Sequence, residues 1–192
     1  MTPTPDIHRH LATTLRQLRA EKQWSLDRTA QETGLSKAML GQIERGESSP
    51  TVASLWKIAQ GFQCSLSHFL EAPASRPQDT LFRQVDTLRS QPASDAMLVA
   101  PIFPYDPHFG FEVFELTLLP HYVRHSEPHA SGVTEHVIVI SGQMEVYVDG
   151  VWQALAQGEA VRFAADREHG YRNLNEHAAV FHNLIHYPTA AR

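Results

Sequence analysis

Residues 25–50 read SLDRTAQETGLSKAMLGQIERGESSP, and the local patterns in this stretch organise the first third of the chain. Two short helical periods face each other across Gly34. In the first, Leu26 and Ala30 fall at i and i+4; in the second, Leu40 and Ile43 fall at i and i+3. Ser25 and Ser36 stand where N-caps belong, each with a hydroxyl able to accept from the free N–H groups of a first helical turn. Gly34 supplies the left-handed residue that stops the first helix. Gly46 closes the second, directly after Glu44-Arg45.

Working outward, a preceding helix is expected from Ile7 or His10 to Lys22, with Leu11, Leu15 and Leu18 on one face, behind a polar arm over residues 1–10. Downstream, Pro50-Thr51 opens a fourth helix with an apolar face of Val52, Leu55, Ile58 and Ala59, and Gly61 is expected to end it. A fifth, from Ser65 to Glu71, presents Leu66, Phe69 and Leu70. Two helices joined through a turn that begins with glycine form a helix-turn-helix unit, whose second helix enters the DNA major groove. The stretch from Leu15 to Leu70 resembles the Xre/Cro-like family of bacterial repressors. The resemblance is carried by SLDRTAQETGLS, IERGESSPT and LWKIAQGFQCSLSHFL.

That resemblance implies a double-stranded DNA operator. It places base contacts at Lys37, Ala38 and Gln42, with Ser36 as the cap, and phosphate contacts at Gln31, Arg45, Ser48 and Thr51. The chemistry agrees: lysine donates to guanine, glutamine bridges adenine, and alanine meets a thymine methyl. Phosphate contacts position without specifying. Taken alone, Lys37 reads equally well as a solvated charge. Met39, Leu40 and Ile43 read as core or interface, and Glu44 as a structural partner for an arginine such as Arg16. So small a module implies a homodimer on a palindromic site.

The net charge of −5 is divided unevenly. Residues 1–70 carry eight Lys/Arg against six Asp/Glu, whereas residues 71–192 carry eight Arg, no Lys and fifteen Asp/Glu. Only the first part is suited to phosphate. No run of 18 apolar residues exists, and the first ten residues lack a basic-then-apolar leader, so neither membrane nor secretion is expected. The single Cys64 fits a reducing cytoplasm and reads as a small buried side chain.

EAPASRPQDT, residues 71–80, has two prolines and no apolar period, giving an expected division into a DNA-binding domain (1–71), a linker (72–80) and a second domain (81–192). Strands are expected at Thr80–Val85, Met97–Phe103, Phe111–Leu119, Glu135–Ser141, Gln143–Val148, Ala160–Phe163 and Ala179–His186. Asp149-Gly150, between VYV and VWQAL, is a two-residue hairpin turn. Many short strands point to a sandwich or small barrel.

This second part resembles the cupin family. The family's first motif begins with glycine, where this chain has His121. Its His-x-His becomes Glu127-x-His129, and Glu135 follows with six residues to Gly142. The second motif keeps Gly158, His169 and Asn173 in spacing, with Ala164 and Asp166 in place of the usual Pro and Gly. The implied fold class is a multidomain α + β chain: a five-helix helix-turn-helix domain followed by a cupin jelly-roll barrel.

The cupin resemblance implies a divalent metal, zinc foremost, on His129, Glu135 and His169, with Glu127, His125 or, if the last strand turns that face inward, His182 as a fourth ligand. Imidazole and carboxylate suit such ions. The opposing reading is a barrel without metal. Arg162, His182, Phe114 and Tyr171 are candidates to meet a small-molecule effector, Arg162 through a bidentate fork; most barrel aromatics should simply fill the core. The runs HASGVTEHVIVISGQMEVYVDG and RFAADREHGYRN resemble a branch of regulators linked to sulfur utilisation, which implies a sulfur-containing amino acid as effector. Three functions stay open: a metabolite-sensing transcription regulator, a cupin metalloenzyme fused to a DNA-binding module, and a DNA-binding protein whose barrel only dimerises.

Overall fold

The computed structural model describes residues 7–71, 80–89 and 95–188. The chain divides into two units, residues 1–76 and 77–192. Of the expected linker, only Thr80 lies among the described residues.

The first unit holds α1 (Ile7–Glu21), α2 (Leu26–Thr33), α3 (Lys37–Glu44), α4 (Val52–Phe62) and α5 (Ser67–Leu70). The three caps act as side-chain acceptors: Ser25 Oγ takes Arg28 N–H at 3.1 Å, Ser36 Oγ takes Met39 N–H at 3.2 Å, and Thr51 Oγ1 takes Ser54 N–H at 3.2 Å. Gly34, at φ 67°, ends α2 in the left-handed conformation. Leu15, Leu40, Ile43, Val52, Ile58, Leu66 and Phe69 are essentially fully buried and form the common core.

Three expectations are corrected in this unit. Helix α2 turns Thr29 and Thr33 inward, leaving Leu26 and Ala30 half-buried. Each threonine hydroxyl bonds back to the carbonyl four residues earlier, at 3.0 and 2.8 Å, so its polar group is satisfied. Gly61 does not end α4; Gln63 does, at φ 57°. Gly61 lies where α2 crosses closely, since a Cβ there would stand 2.7 Å from Thr33 Cγ2 and 2.8 Å from the Glu32 carbonyl. Cys64 is half-buried rather than buried.

The second unit opens with a single helical turn, α6 (Val85–Leu88), where a strand over Thr80–Val85 was expected. Nine strands follow: β1 (Met97–Asp106), β2 (Phe111–Leu118), β3 (Val123–Ser126), β4 (Thr134–Ser141), β5 (Gln143–Val148), β6 (Val151–Ala156), β7 (Ala160–Ala164), β8 (His169–Arg172) and β9 (Ala179–His186). They pair antiparallel in two sheets, ordered β1-β2-β9-β4-β7 and β3-β8-β5-β6. Asp149 (φ 51°) and Gly150 (φ 84°) make the tight β5–β6 turn, with Val148 opposite Val151. Gly142, at φ 78°, leaves no room for a side chain, since a Cβ would lie 2.7 Å from the Ala178 carbonyl.

Strand parity decides what enters the core. In β9, Ala179, Phe181, Asn183 and Ile185 point inward, while Val180, His182, Leu184 and His186 point outward. In β8, His169 and Tyr171 are buried with Arg124 and Ser126 of β3 beside them in register.

Candidate functional site

In the helical unit, α3 exposes Lys37, Ala38 and Gln42 along one side, while Leu40 and Ile43 anchor the opposite side in the core. A shallow surface depression there is lined by Leu26, Lys37, Ala38, Gly41, Gln42 and Arg45. Its two cations are both held by acidic neighbours: Lys37 Nζ lies 2.8 Å from Asp27 Oδ2, and Arg45 forms a bidentate pair with Glu47 at 2.8 and 2.7 Å. Exposed pairs of this kind contribute little, so either cation can exchange its partner for a phosphate or base edge. Gln31 is exposed on α2 and Ser48 half-buried beyond α3. Thr51, expected at phosphate, spends its hydroxyl on the α4 cap.

The recognition helix is braced from α1. Arg19 grips the buried Glu44 carboxylate through Nε (2.6 Å) and Nη2 (3.0 Å), while Arg16 Nη2 donates to the Glu44 carbonyl at 2.6 Å. The arginine expected for the carboxylate, Arg16, instead closes the C-terminal end of α3.

In the barrel, His129, Glu135 and His169 bring one ligand atom each to within 4.8 Å of one another. Glu135 Oε1 lies 2.8 Å from His129 Nε2 and 3.4 Å from His169 Nε2. Its other oxygen accepts from the Tyr171 hydroxyl and from Asn183 Nδ2 at 2.8 Å. His169 Nδ1 faces the Arg167 carbonyl at 2.8 Å; a carbonyl only accepts, so Nδ1 is protonated, and Nε2 faces the centre, donating to Glu135 when the ring is charged and free to ligate when it is neutral. This is the outer support that metal-bound histidines ordinarily have. Two imidazoles, one carboxylate and their anchors fit a divalent ion such as zinc or iron.

Burial alone would raise the Glu135 carboxyl, but hydrogen bonds from His129 and His169 outweigh it and hold the group well below the usual carboxylate range. Burial pulls the His169 imidazole down, and Glu135 more than compensates, leaving it raised. Burial, then the Glu135 charge, pushes the Tyr171 hydroxyl well up.

Of the other expected site residues, Phe114 is fully buried opposite Asn183 in the β2–β9 register, and Tyr171 touches Glu135 directly. Glu127 is exposed and does not join the ligand group. His125 packs outside, against Tyr147 and Trp152, each 5.4 Å between ring centres. Arg162 is exposed, because Phe163, opposite Glu135, takes the inward position of β7. His182 faces outward, 3.5 Å from Glu115 Oε2, because the same parity sends Asn183 inward.

Two interior residues escaped the sequence reading. Asn183 lies next to His182, and only strand parity separates them. Arg124 is buried on β3, a strand too short and polar to be recognised.

Comparison with known proteins agrees with both units. Residues 15–69 match the helix-turn-helix family and residues 114–185 the cupin domain family. The chain is 50% identical over 183 residues to the HTH-type transcriptional regulator SutR of Escherichia coli (strain K12), spanning 95% of this chain and 98% of that protein. It is 47% identical to the crystal structure of an HTH_3 family transcriptional regulator from Vibrio cholerae, with a TM-score of 0.80, covering 95% of this chain and 98% of that one. No helix among the described residues is long and apolar enough to cross a membrane. The chain belongs to the family of Xre-like helix-turn-helix transcriptional regulators that carry a cupin domain.

Proposed function

We propose that this regulator reads its operator through α3 and adjusts that binding to a small metabolite held in the cupin barrel. The observation that carries the sensing half is the triad of His129, Glu135 and His169, with His169 held by the Arg167 carbonyl and Glu135 by Asn183. Burying two imidazoles and a carboxylate together is costly, and a bound cation would offset that cost. A zinc ion held by these three side chains would keep open positions and offer them to a soft donor such as a thiolate. A sulfur-containing amino acid is therefore the favoured effector.

In the helical unit, Lys37, Ala38 and Gln42 present to base edges, while Ser36, Gln31, Arg45 and Ser48 lie nearer the phosphates, with Thr51 contributing the N-terminus of α4. The protein acts as a cytoplasmic homodimer on a two-fold operator and catalyses no reaction. Coupling requires the metabolite to bind the operator-competent and incompetent states with different affinity.

The test is the metal content of untagged protein by mass spectrometry, with His129→Ala and His169→Ala alongside, followed by operator titrations with and without thiol amino acids. About one metal per chain, lost in both variants, together with a metabolite-dependent operator affinity, is the expected result. Metal-free protein that binds operator identically with every metabolite overturns the sensing half. Turnover of a metabolite by metal-loaded protein would make the barrel an enzyme.

A further inference from the structure

Arg124 enters the barrel from β3, opposite Tyr171 in the register, and is only 8% exposed. Its contacts do not match its charge. Nη1 donates to Met97 Sδ at 3.6 Å, a weak acceptor, and Nε has no acceptor among the described residues. A guanidinium carries five N–H donors and keeps its charge. Buried charges of this kind are ordinarily paired.

The carboxylates nearby do not supply that pair. Glu135 acts on Arg124 through its field but spends its oxygens on His129, Tyr171 and Asn183. Asp95 is likewise felt only through its charge and is engaged with the Tyr122 hydroxyl. Burial accordingly pulls the Arg124 guanidinium down from its ordinary value.

A second interior group is incomplete in the opposite sense. Asn183 is 2% exposed, and its Nδ2 donates to Glu135 while its Oδ1 has no donor among the described residues. The amide cannot be reversed, because that would set its oxygen against a carboxylate oxygen. Both residues adjoin Tyr171: Arg124 as its cross-strand neighbour, Asn183 through the Glu135 oxygen that the tyrosine hydroxyl shares. Phe181, 5.2 Å from the Tyr171 ring, and Phe114, opposite Asn183, add apolar surface.

Among the described residues, one interior thus offers a cation with a free Nε donor and a neutral amide with a free oxygen acceptor. We propose that Arg124 and Asn183 are a recognition pair for an α-amino acid, Arg124 taking its carboxylate and Asn183 Oδ1 its ammonium group. The assignment rests on reading the barrel as a sensor, and it gives Arg124 the anion-pairing role that the exposed Arg162 cannot fill.

The test uses the full-length, metal-loaded protein and a thermal-shift screen of the twenty L-amino acids, with calorimetric titration of the strongest binder, its primary amide and its deamino acid. Arg124→Met, Arg124→Lys and Asn183→Leu are titrated in parallel. The expected result is at least tenfold weaker binding of the amide to wild type, at least tenfold weaker binding of the acid to Arg124→Met, and partial recovery in Arg124→Lys. Loss of the amino group should cost affinity in wild type and much less in Asn183→Leu.

Equal affinity for acid and amide overturns the proposal without any variant, whatever Arg124→Met does to folding. Equal affinity of wild type and Arg124→Met for the acid also overturns it. If no amino acid binds but a thiol or sulfonate lacking the amino-acid group shifts both melting and operator affinity, this proposal fails and the sensor reading survives. If no small molecule changes operator affinity, both fail.

Discussion

Arg19 of α1 and Glu44 at the end of α3 form a two-pronged ion pair, 2.6 and 3.0 Å long, that fixes the recognition helix to the first helix. Glu44 is buried, so its removal leaves a partly buried guanidinium without its carboxylate. Glu44→Ala should cost about 2 kcal/mol of stability in the helical unit, within the range for breaking partly buried charged hydrogen bonds. Urea denaturation followed by helical circular dichroism measures this; an unchanged midpoint would show the pair to be ornamental.

Gly61→Ala tests the α2–α4 crossing. Alanine gains about 1 kcal/mol in helix propensity, yet its Cβ would press on Thr33 Cγ2 and the Glu32 backbone at 2.7 and 2.8 Å. Overpacking costs of about 1–3 kcal/mol should win. The variant should melt lower and bind operator more weakly, whereas a higher melting temperature would mean that α2 moves aside freely.

At the DNA-facing surface, Gln42→Ala and Arg45→Ala should behave differently. Loss of a bidentate base contact by Gln42 should remove about 1–3 kcal/mol of discrimination at one operator position. Loss of a phosphate contact at Arg45 should weaken all sequences alike and reduce the salt slope by about one. Electrophoretic or fluorescence titrations on matched and mutated sites, at several salt concentrations, separate the two. Identical profiles would contradict the assignment.

Asn173 is fully buried, with its amide donating to the carbonyls of Leu118 (3.1 Å) and His177 (2.8 Å) and its oxygen accepting from Asn175 N–H (3.0 Å). Asn173→Ala should destabilise the barrel by about 2 kcal/mol, because the buried Leu118 carbonyl loses its donor and the bonds to His177 and Asn175 are lost with it. Metal content per folded chain should not change. A loss of metal at unchanged stability would instead make Asn173 part of the ligand centre.

His68 introduces a pH dependence. Burial, then the nearby His10, depresses its pKa below the ordinary 6.5, so the folded state binds fewer protons than the unfolded state. Stability from this group is complete above pH 6.5 and is lost as pH falls through the depressed folded value. Melting curves between pH 7.5 and 5 should fall more steeply for wild type than for His68→Gln. Parallel curves would show that His68 titrates normally.

Local chemistry made much of this molecule legible. Serine caps, Gly34 and the Asp149-Gly150 turn act through the few residues beside them, so their conformations follow from the sequence directly. The pairing of His129, Glu135 and His169 was legible through spacing that matches a known family. The barrel interior was less legible, because β9 reads AVFHNLIH, with apolar side chains on both faces. Its pairing with β2 and β4 seats Asn183 inside and His182 outside.

Strands β3 and β8 run only four residues each and carry Arg124, His125, His169 and Arg172. Their pairing with each other and with β5 makes them strands, and nothing in their own composition does so. The sequence by itself determined the five helices of the first unit, the tight turns at Gly34 and Asp149-Gly150, and the ligand types available. Only the tertiary structure decided which charged residues are buried. A strand's two faces differ by one residue of register, and the energy that selects between them comes from partners distant in the chain.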